Sequence, residues 1–579
     1  MNKRALFVKT TIFVLFFLVL LRLVDLMLIK HAKLSRIARV QQTKEQEVLV
    51  RRGIIYDRKG RELAVNLERP SLYCDPKLIE EPGEFAQKVG GILKLDKRRL
   101  VKLLKGERRF AWIARKVSPE VASRIQSLRI EGMGMLPDTK RFYPKGKLAA
   151  HLLGFVDIDN KGLEGVERTY EDFLIADGGR VYITRDAKGN ILYRGGNFES
   201  SGNSIVLTID EGLQAIVEEE IDRAVRQWQA SAATVIMMDP FTGEILALAN
   251  RPTFDPNRPG RYRASSRRNR AITDLYEPGS TFKLVTATAA LEEGVATLNT
   301  RFDCSDGYIE VGGKRIRDSH KHGILTLKEI IEKSSNVGAV KVALKLGPGR
   351  LYKYVKLYGF GEKTGIDLIG ESPGIVKDPS QWSATTIGAM AIGYEVMVTP
   401  LQVLRAYAVV ANGGYEIRPH VVSKVISPEG LLLKKNRGAR GRRIISERTV
   451  RQLKVALRAV VSEDGTAPKA SIPGNTVAGK TGTTRLVDKR TGRYSYRDFV
   501  SSFVGMVPVE NPLFVMIVVI WRPERMYYGG EVAAPVFRAI AEKALAYRFI
   551  PREDRLKDTF LYVSSDENIM LKRMAVAEK

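Results

Sequence analysis

The feature that most constrains this chain is an apolar run near its start, Thr10 to Ile29, which reads TTIFVLFFLVLLRLVDLMLI. About 20 such residues reach across a bilayer's hydrocarbon core as a helix. In lipid, a helix is the one single-segment conformation that satisfies every backbone polar group internally. The run therefore predicts a transmembrane helix. No small-x-small cleavage site follows it, so the reading is an uncleaved signal anchor. Lys3, Arg4 and Lys9 precede the run and Lys30, Lys33, Arg36, Arg39 and Lys44 follow it. Charge bias thus leaves orientation open, and long domains translocate largely regardless of it. Arg22 and Asp25 share one helix face, where they pair with each other or with a partner helix, or snorkel to the headgroups.

Tethering decides how the formal charge of +29 is read. So basic a chain meets anionic surfaces readily, whether nucleic acid, headgroups or wall material. No nucleic-acid-binding motif accompanies the charge, and the anchor argues against that partner. With 579 residues and 44% apolar composition, the chain can bury more than one core. The expected division is a short cytoplasmic segment (1–9), the anchor (10–29), a stalk and separate domain (30–203), a second domain (204–550) and a charged tail (551–579). Cys74 and Cys304 form no CxxC or Cys/His cluster. They read as two unrelated small buried residues, with one long-range disulfide as the alternative.

From Ser204 the pattern sharpens. Ile205 to Ile209 reads as a strand and Glu211 to Gln229 as an amphipathic helix. Val235 to Met238 and Glu244 to Ala249 flank Asp239-Pro240-Phe241-Thr242-Gly243, a hairpin turn composition. Ser501 to Val507 and Leu513 to Trp521 flank Pro508-Val509-Glu510-Asn511-Pro512 and predict a second hairpin. Helical segments lie between, such as Phe282 to Glu293 and Pro400 to Ala411. The expectation is an α+β domain whose antiparallel sheet brings its first and last strands together among helices. The basic stretch Lys434 to Arg443 (KKNRGARGRR) reads as a solvated loop.

Three short motifs carry chemistry. Glu277-Pro278-Gly279-Ser280-Thr281-Phe282-Lys283 opens an Ala-rich helical pattern, placing Ser280 at a helix N-terminus with Lys283 one turn on. The Lys283 amine, once neutral, can take the Ser280 proton, and the free N–H groups at the helix start favour an oxyanion. S-x-x-K alone is weak, since a chain of this size holds roughly two by chance. Ser334-Ser335-Asn336, which starts or lies inside the helical pattern around Leu327 to Leu346, adds a hydroxyl at Ser334 to relay a proton and an amide at Asn336 to hold a substrate amide. Lys480-Thr481-Gly482-Thr483 adds a cation, hydroxyls and a glycine that lets a substrate lie along the backbone as an added strand. Three in this order form a strong signal.

Three other stretches imitate known functional motifs. Gly474 to Thr481 matches the P-loop pattern, but neither a buried strand before it nor a helix after it is expected, and phosphate is held by that helix's N-terminus. Gly370-Glu371-Ser372-Pro373-Gly374 fits a nucleophile elbow, yet Pro373 has no N–H to serve as oxyanion donor. His320-Lys321-His322 lacks a third ligand, so no metal or cofactor is expected.

The three motifs are the signature set of penicillin-binding proteins and serine β-lactamases, which this chain resembles. Arg52-Gly53-Ile54-Ile55-Tyr56-Asp57-Arg58, Arg141-Phe142-Tyr143-Pro144 with Ala149-Ala150-His151, and Gly162-Leu163-Glu164-Gly165-Val166-Glu167 are similar to pedestal motifs of the class B members. Asn269 to Asp274, Val398 to Gln402 and Tyr527-Tyr528-Gly529-Gly530 are similar to their transpeptidase domain. The resemblance implies a transmembrane helix, a pedestal and a penicillin-binding α+β domain. It implies a serine-type peptidoglycan D,D-transpeptidase, with a carboxypeptidase-like side activity, that cross-links stem peptides ending in D-Ala-D-Ala at the division septum and is inhibited by β-lactams. It implies catalytic Ser280, Lys283, Ser334, Asn336 and Lys480, substrate contacts at Thr481, Gly482 and Thr483, and an oxyanion hole from the Ser280 and Thr483 N–H groups. Lys480 would meet the substrate carboxylate. Implied partners are a polytopic glycan polymerase and other division proteins, with the catalytic domain on the outer face of the cytoplasmic membrane. An elongation-type transpeptidase, a β-lactamase or β-lactam sensor, and a scaffold with a vestigial site are the alternatives. Glu395, in Ile392-Gly393-Tyr394-Glu395-Val396, departs from the family, which more often has a small residue there.

Overall fold

The computed structural model describes residues 3–30, 43–47, 51–105, 108–175, 180–185, 191–195, 201–436, 438, 440–488 and 490–548. The charged tail 551–579 and most of the stalk after Lys30 lie outside them. Helix α1 (Lys3–Val24) continues through one wider turn, Asp25–Ile29. The apolar span is Leu6–Leu28, with a mean hydropathy of 2.5. Asp25 accepts from Arg22 at 2.7 Å and from Lys30 at 2.8 Å, so the intrahelical pairing is the one observed.

Two compact units follow. One comprises residues 1–53, 68–139 and 175–202. Its described core is built on a three-stranded sheet with Ser71–Cys74 between Ala111–Ala114 and Met133–Leu136. Leu72, Phe85, Val89, Leu100 and Ile125 pack around it. Asp138, buried here, accepts from Ser71 Oγ at 2.6 Å and from the Thr139 N–H at 2.7 Å.

The other unit takes residues 54–67 and 140–174 together with everything from 203 onward. Sequence-distant segments enter it for identifiable reasons. Ile55–Tyr56 pairs in parallel with Ser204–Leu207, aligning Ile55 with Ile205. Arg141 Nε meets Glu167 Oε1 at 2.7 Å with both side chains fully buried, and the Tyr143 hydroxyl donates to the same carboxylate. Buried charge persists only when paired and hydrogen-bonded, which accounts for both residue types in these two motifs. Asp57 accepts from the N–H groups of Lys59 and Arg61 and from that of Glu211, where helix α2 (Glu211–Trp228) begins.

The unit's main sheet has five antiparallel strands: β1 (Ala232–Met238), β2 (Ile245–Arg251), β3 (Ala478–Val487), β4 (Tyr494–Val507) and β5 (Phe514–Trp521). Their order is β2-β1-β5-β4-β3, so the two expected hairpins meet at the β1–β5 pair and β3 is a terminal strand. Every residue of β1, β2 and β5 is buried. Such burial requires cover on both faces; α3 (Lys283–Glu292) and α4 (Asn336–Leu346) pack on each other, while α2, α5 (Pro400–Ala411) and α6 (Ala534–Tyr547) pack on the sheet of this α+β unit. The stretch Lys434 to Arg443 corrects the loop reading. Leu432–Lys435 and Arg440–Arg443 are exposed strands, the first paired with Val422–Ile426 and the second with Tyr415–Ile417. Charged side chains on the solvent face of an edge strand carry no apolar alternation to reveal it. Cys74 and Cys304 are separate, buried and free.

Candidate active site

Pro278 and Gly279 shape a 3₁₀ turn, Gly279–Phe282, that runs directly into α3 and holds Ser280 partly exposed at its start. Gly279 has φ +57°, and a Cβ there would lie 2.3 Å from Thr484 Cγ2 on β3. Only glycine permits that backbone and that approach. Gly482 serves the same end from the strand side, since its Cβ would meet Ser502 Oγ at 2.4 Å and the Pro278 carbonyl at 3.0 Å. Two small residues thus let the serine turn and the K-T-G strand lie side by side.

Lys283, the first residue of α3, is fully buried. Its Nζ donates to the Ser334 carbonyl (2.5 Å), to Asn336 Oδ1 (2.8 Å) and to Ser334 Oγ (3.2 Å). The Lys283 N–H donates to the Ser280 carbonyl, but among the described residues no hydrogen bond joins Lys283 Nζ to Ser280 Oγ. The amine reaches the S-x-N turn instead. Lys480, equally buried, donates to Ser334 Oγ at 2.9 Å, so one hydroxyl bridges two lysines. Burial pulls the Lys283 amine down to about 7, partly opposed by the Asp318 carboxylate. Burial, then the neighbouring Lys283, holds Lys480 well below the usual lysine range.

The helical pattern from Leu327 to Leu346 is broken where the chemistry sits. Leu327–Glu332 ends before Ser334, which has φ +60°, and α4 restarts at Asn336 with Ser335 as its cap, accepting from the Gly338 N–H at 2.9 Å. A left-handed serine costs about 1 kcal/mol or more, and it turns Ser334 Oγ toward both amines. Thr481 Oγ1 bonds Thr466 Oγ1 at 3.0 Å, and Thr483 Oγ1 accepts from the Gly529 N–H at 3.0 Å. Because that hydroxyl accepts here, its own proton remains to be donated. The structure therefore joins Lys283, Ser334, Asn336 and Lys480 in one hydrogen-bonded cluster, and sets the turn that carries Ser280 against the strand that carries Thr481, Gly482 and Thr483. Lys480 Nζ faces Ser334 and Thr481 rather than the open strand edge.

The decoy motifs do not form the sites they imitate. The Gly474 to Thr481 segment leads into strand β3, with no helix to hold phosphate. Ser372 lies in a loop, its N–H on the Ile272 carbonyl. Two further groups carried no sequence signal. Asp318 accepts from the Asn336 and Val337 N–H groups and from Ser335 Oγ. Glu277 accepts from the Glu395 N–H and the Tyr494 hydroxyl, and burial raises its pKa. Glu395 has φ +58°, and its Oε2 accepts from Thr386 at 2.8 Å. Its backbone conformation is one that glycine adopts without strain.

Fold and site together define a serine-based acyl-transfer enzyme of the penicillin-interacting kind. The model of the penicillin binding protein transpeptidase domain matches residues 233–542, and that of the penicillin-binding protein dimerisation domain matches residues 47–207. Peptidoglycan D,D-transpeptidase FtsI of Escherichia coli K12 is 34% identical over 86% of this chain and 83% of its own length. Stage V sporulation protein D of Bacillus subtilis is 33% identical over 96% and 88%. Among solved structures, penicillin binding protein 3 of Mycobacterium, complexed with aztreonam, aligns with a TM-score of 0.69 at 27% identity over 88% of this chain and 98% of that one. Penicillin binding protein 2X of Streptococcus thermophilus aligns with a TM-score of 0.73 at 25% identity over 87% and 80%. The chain belongs to the class B penicillin-binding proteins. With one apolar spanning helix among its described residues, it is a single-pass membrane protein.

Proposed function

We propose that this protein is a peptidoglycan D,D-transpeptidase that works at the division septum through an acyl-enzyme on Ser280. The observation that carries the reading is the buried pair Lys283 and Lys480 meeting on Ser334 Oγ beside the Ser280 turn. Two ammonium groups buried this close disfavour each other, so a neutral amine is available near pH 7. Ser280 Oγ attacks the carbonyl of the penultimate D-Ala, its proton passing to Lys283 Nζ. The Ser280 and Thr483 N–H groups take the oxyanion charge. As the C–N bond breaks, the proton on Lys283 passes through Ser334 Oγ to the departing D-Ala nitrogen; an amine on a neighbouring stem then forms the new C–N bond as the acyl C–Oγ bond breaks, and the amine's proton returns to Ser280 Oγ. Asn336 Nδ2 has a second N–H for a substrate carbonyl, beyond the one on Arg317 O. The terminal carboxylate is held by the Thr481 and Thr483 hydroxyls, with Lys480 acting through its hydrogen bond to Ser334 Oγ. Terminal strand β3 offers the peptide an edge to extend.

Supplied with uncross-linked glycan bearing pentapeptide stems, the purified protein is expected to release D-alanine and form cross-linked dimers. From lipid-linked precursor alone it is expected to make no glycan. Polymer from that precursor, or D-alanine release without cross-links under any acceptor supply, would contradict the reading.

The body is assigned to the outer face of the cytoplasmic membrane, and α1 is proposed to dock on a polytopic glycan polymerase in the division assembly. The support is that Arg22, although paired with Asp25 on its own helix, keeps its charged side chain largely exposed inside an apolar span, where such groups face protein or water rather than lipid. Replacing α1 by an unrelated span should remove the polymerase from the purified complex. Undiminished co-purification would refute the docking. A fluorescent fusion should concentrate at mid-cell, and uniform lateral-wall signal would reject the septal assignment.

A further inference from the structure

The S-x-N turn poses a problem of stability. Ser334 sits in a left-handed conformation, directly before a helix whose first N–H groups need acceptors, and beside two buried amines. Ser335 Oγ covers only the Gly338 N–H. The remaining acceptors come from Arg317 and Asp318, at the end of the strand Lys314–Arg317 and just after it. One Asp318 oxygen takes the Asn336 and Val337 N–H groups together. The other takes the Ser335 hydroxyl at 2.7 Å. The Arg317 carbonyl takes Asn336 Nδ2 at 2.8 Å, which settles the amide's orientation and leaves Oδ1 facing Lys283.

We propose that Asp318 is a positioning residue for acyl transfer: with the Arg317 carbonyl, it holds the Ser334–Ser335–Asn336 turn in the geometry that presents Ser334 Oγ and Asn336 Oδ1 to Lys283. An aspartate suits the position because a carboxylate accepts several N–H and O–H bonds at once and donates none. Two bonds to main-chain N–H groups fix the backbone, the bond to Ser335 fixes the cap, and together they oppose relaxation of Ser334 from its left-handed state. The same carboxylate is the nearby anion that counters burial of Lys283, while Lys480 on β3 is the nearby cation. Asp318 therefore acts both on the geometry of the turn and on the proton affinity of the base. The inference rests on the acyl-enzyme reading of Ser280.

The test uses the full-length protein in detergent, with a fluorescent penicillin as probe. The second-order rate constant of acylation is followed from pH 5.5 to 9 for the wild type, Asp318→Asn and Asp318→Ala, beside melting curves. Ser280→Ala is the control for the reading itself. Hydrogen bonds to a charged group carry enough energy that Asp318→Ala should slow acylation by about 10- to 100-fold. In Asp318→Asn, the acid limb of the rate profile should move to lower pH, because the carboxylate that favours protonated Lys283 is gone. Ser446→Ala removes the cap of another helix, Glu447–Ala459, and should lower the melting temperature without slowing acylation. Asp318→Asn with wild-type rate and an unmoved limb overturns the proposal while leaving the Ser280 reading intact. Equal labelling of wild type and Ser280→Ala overturns both.

Discussion

Ser280→Ala is expected to abolish covalent labelling by a fluorescent penicillin while the protein stays folded. The chemistry needs a hydroxyl that can reach an electrophilic carbonyl, and Ser280 is the partly exposed serine at the head of the buried helix α3. Ser334 is the alternative acceptor within the cleft, but its Oγ is committed to two lysine amines. Ser372 lies in a loop followed by a proline without an oxyanion donor. Since Ser280 makes no side-chain hydrogen bond among the described residues, its loss should change stability by no more than about 0.5 kcal/mol. Loss of labelling at unchanged melting temperature then reports chemistry alone. Labelling that persists in Ser280→Ala and disappears in Ser334→Ala would move the nucleophile.

The second large effect concerns the base. Lys283→Ala should slow acylation by about 10²- to 10⁴-fold, the range for removing a positioned general base. Lys283→Arg should not rescue it, because a guanidinium stays charged and cannot accept the proton. The wild-type profile follows with its sign. Burial brings the Lys283 amine to about 7, so the neutral form predominates above that pH and is lost below it. The acylation rate should be flat above neutrality and fall by about tenfold per unit below it. A rate independent of pH between 5.5 and 8.5, or an active Lys283→Arg enzyme, would remove Lys283 from this role.

Local pattern carried much of this molecule. The two hairpins, helix α2 and helix α5 arise where apolar periodicity is bounded by turn or capping residues, as at Thr399, whose hydroxyl and Gln402 form a reciprocal cap. Where polarity hid the pattern, local reading failed. The exposed strands at Leu432–Lys435 and Arg440–Arg443 carry cations toward solvent and look like a loop. The capping types Ser335 and Asn336 mark a possible helix start in the stretch Leu327 to Leu346, but the left-handed backbone at Ser334 depends on contacts beyond it. Glu395 was visible as a departure, and its φ of +58° shows what the departure entails for the backbone.

The membrane anchor, the α+β class and the identity and order of the three motifs are all legible along the chain. Each of these depends on residues close together along the chain: an apolar run of bilayer length, alternation within strands, a lysine one turn beyond a serine. Tertiary structure alone decided that Lys283 faces Ser334 and Asn336, that Lys480 shares Ser334 with it, and that Asp318, eighteen positions before Asn336, secures the turn between them. Those contacts join α3, α4, β3 and the segment after Lys314–Arg317. They depend on which groups are buried together and must satisfy one another, a condition that no local stretch of sequence contains.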